Sequence, residues 1–181
     1  MKFFVKNTNK TSEQWYIHVV LYTIIIILSY ILINVAFIQP NKIVLREKYY
    51  KKESRLRMLN LREAEILFKE KYGSFTDNID SLIGFLKYDK LVTASISKID
   101  PVTKKSLSPF KNLTKFVFAP QIYDSLRHAP KSLRPYKITI DTLSTGSTTV
   151  KGTNYLIECP DGYGKIGDLF NETLKNTASW E

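Results

Sequence analysis

Tyr16 to Ile38 reads YIHVVLYTIIIILSYILINVAFI, 23 residues without one Asp, Glu, Lys or Arg. At a helical rise of about 1.5 Å per residue this run covers roughly 34 Å, more than the ~30 Å hydrocarbon core of a bilayer. The length and the absence of charge predict a transmembrane helix over 16–38. Trp15 and Tyr16 at one end and Phe37 at the other are the amphipathic aromatics that settle at membrane interfaces, and Pro40-Asn41 is expected to end the helix. A cleaved signal peptide fits less well: the run is long for a signal h-region, and neither Val35-Ala36-Phe37 nor Phe37-Ile38-Gln39 offers a small-x-small cleavage site. Within the span His18 lies one turn from the interface, where it can reach the headgroups. Asn34 lies deeper and would gain from a neighbouring helix.

Outward from the span, the chain is basic on both sides. Lys2, Lys6 and Lys10 precede it, and Lys42, Arg46, Lys48, Lys51, Lys52, Arg55 and Arg57 follow, so the positive-inside count favours a cytoplasmic C-terminal side. Residues 1–60 carry +7 of the chain's formal +10, which makes the basic excess a juxtamembrane feature. Anionic lipid headgroups are its expected partner, at about 1 kcal/mol per basic residue near a charged surface, and no nucleic acid is needed to explain it.

The full 181 residues suffice for one modest domain besides the span. A hydrophobic fraction of 44%, with 7 Gly and 7 Pro, excludes collagen-like or low-complexity chains, and 10 Phe with 11 Tyr argue for a packed core. A single cysteine, Cys159, excludes an intramolecular disulfide framework, and with only His18 and His128 beside it no zinc site, and no cofactor of any kind, is expected.

Ile43 to Tyr72 contains no Gly or Pro and is dominated by Glu, Lys, Arg and Leu, which predicts a long helix closed by Gly73. At 100° per residue, Leu45, Tyr49, Leu56, Leu59, Ile66 and Leu67 share one face, and Ile43, Tyr50, Leu61, Phe68 and Tyr72 another. Two apolar stripes need two covers: either a partner takes one, or the helix lies deep in its own domain. Glu47, Lys48, Lys51, Arg55, Arg62, Glu65 and Lys69 are expected in the remaining, charged sector, and only Leu61 to Tyr72 is expected to meet the sheet. A short helix should follow, capped by Asp77 or Asn78, with Leu82, Phe85 and Leu86 inward.

A membrane helix, a long helix continuing from it, then Tyr72-Gly73-Ser74-Phe75 and a short apolar helix together resemble the organisation of type IV pilins and type II secretion pseudopilins. The stretch LREAEILFKEKYGSFTDNIDSLIGFL, Leu61 to Leu86, further resembles uncharacterised single-pass envelope proteins of Bacteroidota. The likeness covers about residues 16–90. A prepilin cleavage site is not part of it: Ser12-Glu13-Gln14-Trp15 precedes the apolar run, and no Gly occurs before Gly73. The resemblance implies an inner-membrane anchor with a periplasmic C-terminal domain, the orientation opposite to the charge count.

After Lys90 the sequence turns β-rich. Leu91–Ile99, Phe116–Tyr123, Tyr136–Leu143 and Val150–Cys159 are expected strands, with a hairpin loop at Ser144–Thr148. The fold class expected is therefore α+β: an N-terminal transmembrane helix, a long amphipathic helix, then a small antiparallel sheet domain. The corresponding division is a cytoplasmic tail over 1–15, the span over 16–38, the juxtamembrane helix over 41–72 and an extracytoplasmic domain over 73–181.

Motifs that suggest chemistry have plainer readings. Gly162-Tyr163-Gly164-Lys165-Ile166-Gly167 has the G-x-G-x-x-G form, but only 14 residues follow it, too few for the second strand and acidic residue of a dinucleotide site. It reads as a turn. Cys159 reads as a small apolar strand residue rather than a nucleophile paired with His128, and Asp161 and Asp168 read as loop residues rather than cation ligands. No enzymatic activity is expected. The expected role is a structural or assembly component of an envelope machine (pilus-like, secretion or motility). It would bind other membrane or envelope proteins, a second copy of itself among them, through Asn34, Leu45, Tyr49 and Tyr50. The alternative is a membrane-anchored ligand-binding or sensory module, which would need an enclosed pocket.

Overall fold

The computed structural model describes residues 15–97, 107–145 and 148–181. The tail with Lys2, Lys6 and Lys10, the last residues of the expected strand Leu91–Ile99, and the tip of the expected hairpin loop at 146–147 lie outside the described residues. The chain divides into two compact units, one reaching Arg46 and one from Glu47 to Glu181.

In the first unit, helix α1 runs from Trp15 to Ile33, and a π-helical turn, Asn34–Ile38, joins it to α2, Gln39–Tyr72. Every residue of α1 is exposed. Pro40, expected to end the helix, is instead the second residue of α2. Its ring carries no N–H and crowds the carbonyl four residues back, and the π turn immediately upstream accommodates the mismatch. The Gln39 N–H accordingly donates to the Asn34 carbonyl, five residues earlier.

The second unit is built around the remainder of α2. Gly73, at φ +81°, closes the helix by donating its N–H to Lys69 O at 2.8 Å. Helix α3, Ile79–Tyr88, begins at Asn78, whose side-chain oxygen accepts the N–H groups of Asp80 and Ser81, and it buries Leu82, Ile83, Phe85 and Leu86. Both features follow the sequence reading.

Two expected strands are not strands. Lys90–Ile96 is helix α4, because Asp89 caps its first turn by accepting the Leu91 N–H, and Val92 and Ser95 are buried at helical spacing. Pro120 starts a 3-10 helix, Pro120–Arg127, where Phe116–Tyr123 suggested a strand; Ile122, Tyr123 and Leu126 anchor it in the core. The β-branched and aromatic residues of both segments serve packing rather than pairing.

The sheet is three-stranded and antiparallel in the order β1 (Lys137–Thr145), β2 (Thr148–Glu158), β3 (Lys165–Gly167). Register places Ile138 opposite Ile157 and Ile157 opposite Ile166, a row of three buried isoleucines across the sheet. A bulge between Ile140 and Thr142 shifts the register of the outer half. The α+β class is observed: a long apolar N-terminal helical segment followed by a small antiparallel sheet.

Helix α2 reaches the residues flanking β1 and β2 before Leu61. Ser54 Oγ lies 2.9 Å from Tyr136 Oη and 3.1 Å from Cys159 Sγ, and Met58, Leu61 and Ala64 are fully enclosed. Both apolar stripes are used within this unit. Leu56, Leu59 and Leu67 from one and Tyr50, Leu61 and Phe68 from the other all pack on the same core, Leu61 fully buried and the others partly, so both stripes contribute to the helix's own domain.

Candidate functional site

Along α2 the buried polar residues form the most organised constellation of the second unit. Glu53 is 1% exposed; one carboxylate oxygen lies 3.4 Å from the Arg57 guanidinium and the other accepts the Thr114 N–H at 2.9 Å. Arg57 continues to the carbonyls of Ser125 and His128, at 2.6 and 2.8 Å. One turn on, Asn60 donates to Lys111 O at 2.8 Å and accepts the Lys111 N–H at 2.6 Å, so its amide pairs with the backbone as a strand would. These contacts tie the Lys111–Thr114 stretch and the 3-10 helix with its end at His128 to α2, and they satisfy backbone groups that burial would otherwise orphan.

Glu65 is the exception to the expected solvent sector: it is fully buried, with one oxygen accepting the Thr76 N–H at 3.1 Å and the other unpaired. Burial pushes its carboxyl up to about 8, against a smaller lowering from the Thr76 N–H. The sequence reading missed this row because a Glu or Arg on a helix is ordinarily solvated. The signal present was the count of polar residues at 53, 54, 57, 60 and 65, which falls across the face carrying Met58, Leu61 and Ala64.

The motifs singled out in the sequence have the following places in the fold. Gly162, Gly164 and Gly167 all have positive φ, +74°, +136° and +86°, the first two in the turn between β2 and β3 and the third at the end of β3. Within that turn the Gly162 N–H donates to Cys159 O, and the Cys159 N–H to Gly164 O. A Cβ on Gly167 would sit 2.2 Å from Tyr155 O, and one on Gly164 would sit 2.4 Å from the Trp180 ring, so two of the glycines are there for close approach. Cys159 is buried beside Ser54, and burial pushes the neighbouring Tyr136 hydroxyl above its ordinary range. His128 contributes its carbonyl to Arg57 and bridges Pro135. Asp168 accepts the N–H groups of Phe170 and Asn171, which holds its carboxyl below the usual range, and Asp161 accepts the Ser132 N–H. Among the described residues no three His, Cys, Asp or Glu side chains are grouped to hold a metal ion.

The residues expected to bind a partner are placed differently from one another. Asn34 opens the π turn and is half-buried, and Leu45 is 66% exposed in the first unit, next to exposed Ile43 and Val44. Tyr49 lies under the Lys115 ammonium, 5.1 Å from its ring centre. Tyr50 packs against the core of its own unit, 5.6 Å from the Tyr49 ring. The structure thus brings Tyr49 and Tyr50 together but commits Tyr50 to the domain.

Protein-family models, curated proteins and solved structures give no match to this chain.

Proposed function

We propose that the chain is a non-enzymatic, membrane-anchored scaffold of the cell envelope, inserted once in the inner membrane with its second unit in the periplasm. One observation carries the membrane reading: α1 is 19 residues of apolar sequence with no buried residue and no formal charge. A helix with such a surface needs a cover, and hydrocarbon supplies it. Its hydroxyl chemistry suits lipid as well, since Thr23 Oγ donates to Val19 O at 2.8 Å within the helix.

The orientation rests on the pilin-like arrangement, and the assembly role on surface left over. Ile43, Val44 and Leu45 are exposed, and Asn34 offers an amide to a neighbouring helix. Both stripes of residues 50–68 pack on the unit's own core, with Leu56 and Leu59 only partly buried, which leaves less apolar surface for a partner than the sequence suggested. The ligand-binding alternative asks for an enclosed cavity. The recess lined by Phe68, Tyr72, Gly84, Phe85 and Tyr88 is an open groove, which supports the scaffold reading over a ligand enclosed there.

Alkaline carbonate extraction tests the anchor, and a Phe170→Cys variant in a Cys159→Ala background tests the side; Phe170 is 95% exposed. Retention in the membrane pellet, with labelling by an impermeant maleimide in intact spheroplasts, supports the proposal. Release into the supernatant removes the anchor, and labelling only after lysis reverses the orientation.

A further inference from the structure

Lys48, Lys51, Lys52 and Arg55 line one open groove of the second unit together with Leu56, Leu59 and Trp180. The positions fall at i, i+3, i+4, i+7, i+8 and i+11, one face of α2, so four cations stand within about 10 Å along the axis and two leucines follow them. No carboxylate lines the groove. Lys71 pairs with Asp89, Lys87 with Asp124 and Lys131 with Glu47, whereas Lys48, Lys51 and Lys52 have no acidic partner among the described residues. Trp180 closes the groove. It is held by the Arg55 guanidinium 4.8 Å above its ring and by the absence of a side chain at Gly164.

We propose that this groove binds anionic phospholipid of the membrane surface, the phosphate on Lys48, Lys51 and Lys52 and the apolar part against Leu56, Leu59 and the Trp180 edge. The inference rests on the membrane-anchored reading and deepens it, by turning a diffuse basic segment into a built site that includes the far end of the chain. Charge complementarity selects an anion. The adjoining leucines and an indole, the side chain that favours the boundary of apolar and wet surroundings, select an amphiphile over a purely polar polyanion. Nucleic acid would want the aromatic face for stacking, and Arg55 already covers one face of that ring.

The test uses the full chain with Trp15→Phe, which leaves Trp180 as the sole tryptophan. It is reconstituted in nanodiscs of phosphatidylcholine alone or with one-third phosphatidylglycerol. The expected result is acrylamide quenching of Trp180 lowered about threefold by phosphatidylglycerol, with the protection removed at about 1 M salt, where the Debye length is ~3 Å, and removed by the triple variant Lys48→Gln, Lys51→Gln, Lys52→Gln. Brominated phosphatidylglycerol should quench the same indole. Equal quenching in both lipids overturns the proposal, as does protection in phosphatidylcholine discs by poly-glutamate or an oligonucleotide that phosphatidylglycerol does not reproduce. Carbonate extraction separates the two levels. A retained chain with an unprotected Trp180 defeats the groove alone, and a released wild-type chain defeats the groove and the anchor together.

Discussion

The Glu65 carboxyl reaches the Thr76 N–H at 3.1 Å from a fully buried position, fastening the turn after α2 back onto the helix that precedes it. The bond fixes the path of the chain from Gly73 into α3, and with it the placement of Phe75, whose ring lies 4.4 Å from that of Tyr155. It also leaves an ionisable group in a place that disfavours its charge.

Stability should therefore fall as pH rises from the ordinary carboxyl range toward about 8. Burial raises the native Glu65 carboxyl to about 8, so between its unfolded value and that point the native state holds a proton the unfolded state has lost. The contribution is complete at acid pH and declines by up to about 1.4 kcal/mol per pH unit until the native group ionises. Asp89 and Asp124, both lowered by lysine partners, act at more acid pH and do not mask the window. Urea unfolding of the full chain in detergent at pH 5, 6, 7 and 8 should show this slope, and Glu65→Gln, which keeps an acceptor for Thr76, should flatten it. A variant with the parental slope would show that another group is responsible.

Asn60→Ala should cost about 2–3 kcal/mol, because it deletes two hydrogen bonds and leaves the Lys111 N–H and carbonyl without the amide that satisfies them. Asn60→Asp retains the acceptor but sets a fully buried ionisable carboxyl against the Lys111 carbonyl, so at neutral pH its loss should be at least as large. Denaturant midpoints compare the two. An alanine variant as stable as the parent would mean that the Lys111 segment finds other partners.

The three glycines after Cys159 should respond to alanine in a graded order. Gly162 has open space where a Cβ would go and should lose only about 1 kcal/mol, the strain of a positive φ. Gly164 would push on the movable Trp180 ring, whereas Gly167 would meet the Tyr155 and Lys175 carbonyls and should lose more than about 3 kcal/mol. Thermal unfolding of the three single variants gives the ranking. A uniform small loss would refute the close-approach explanation.

How far the sequence reveals this fold depends on whether the signal is local. Gly73 and Asn78 mark helix ends through their own backbone and side-chain chemistry, and alternation from Tyr136 to Ile140 marks β1; all three are legible. Leu91–Ile96 misleads because its composition is that of a strand, while the deciding feature is one Asp89 cap before it. Pro40 misleads in the opposite sense, since a π turn lets the helix pass it. The three residues of β3 are too few for periodicity, and they pair because the glycine turn returns them to β2. Glu65 and Asn60 were hidden for a different reason. Their burial depends on loops around Thr76 and Lys111 arriving from elsewhere in the chain, which helical periodicity does not encode.

The assembly reading is tested most sharply where the expected partner residues part company. Tyr50 packs on its own core, so Tyr50→Ser should lower the unfolding free energy by about 1–3 kcal/mol and disturb function only through stability. Leu45 is 66% exposed beyond that unit, so Leu45→Ser should change stability by less than about 0.5 kcal/mol. If α2 offers Ile43, Val44 and Leu45 to another membrane protein, the Leu45→Ser chain, made together with Ile43→Ser, should lose co-purifying partners in mild detergent while its unfolding curve stays parental. Asn34→Leu should weaken the same association modestly, since one interhelical amide contributes about 0.6–2 kcal/mol. Full retention of partners by all these variants, or a wild-type chain that is monomeric and alone in native membranes, would defeat the scaffold role and leave the exposed apolar residues to lipid.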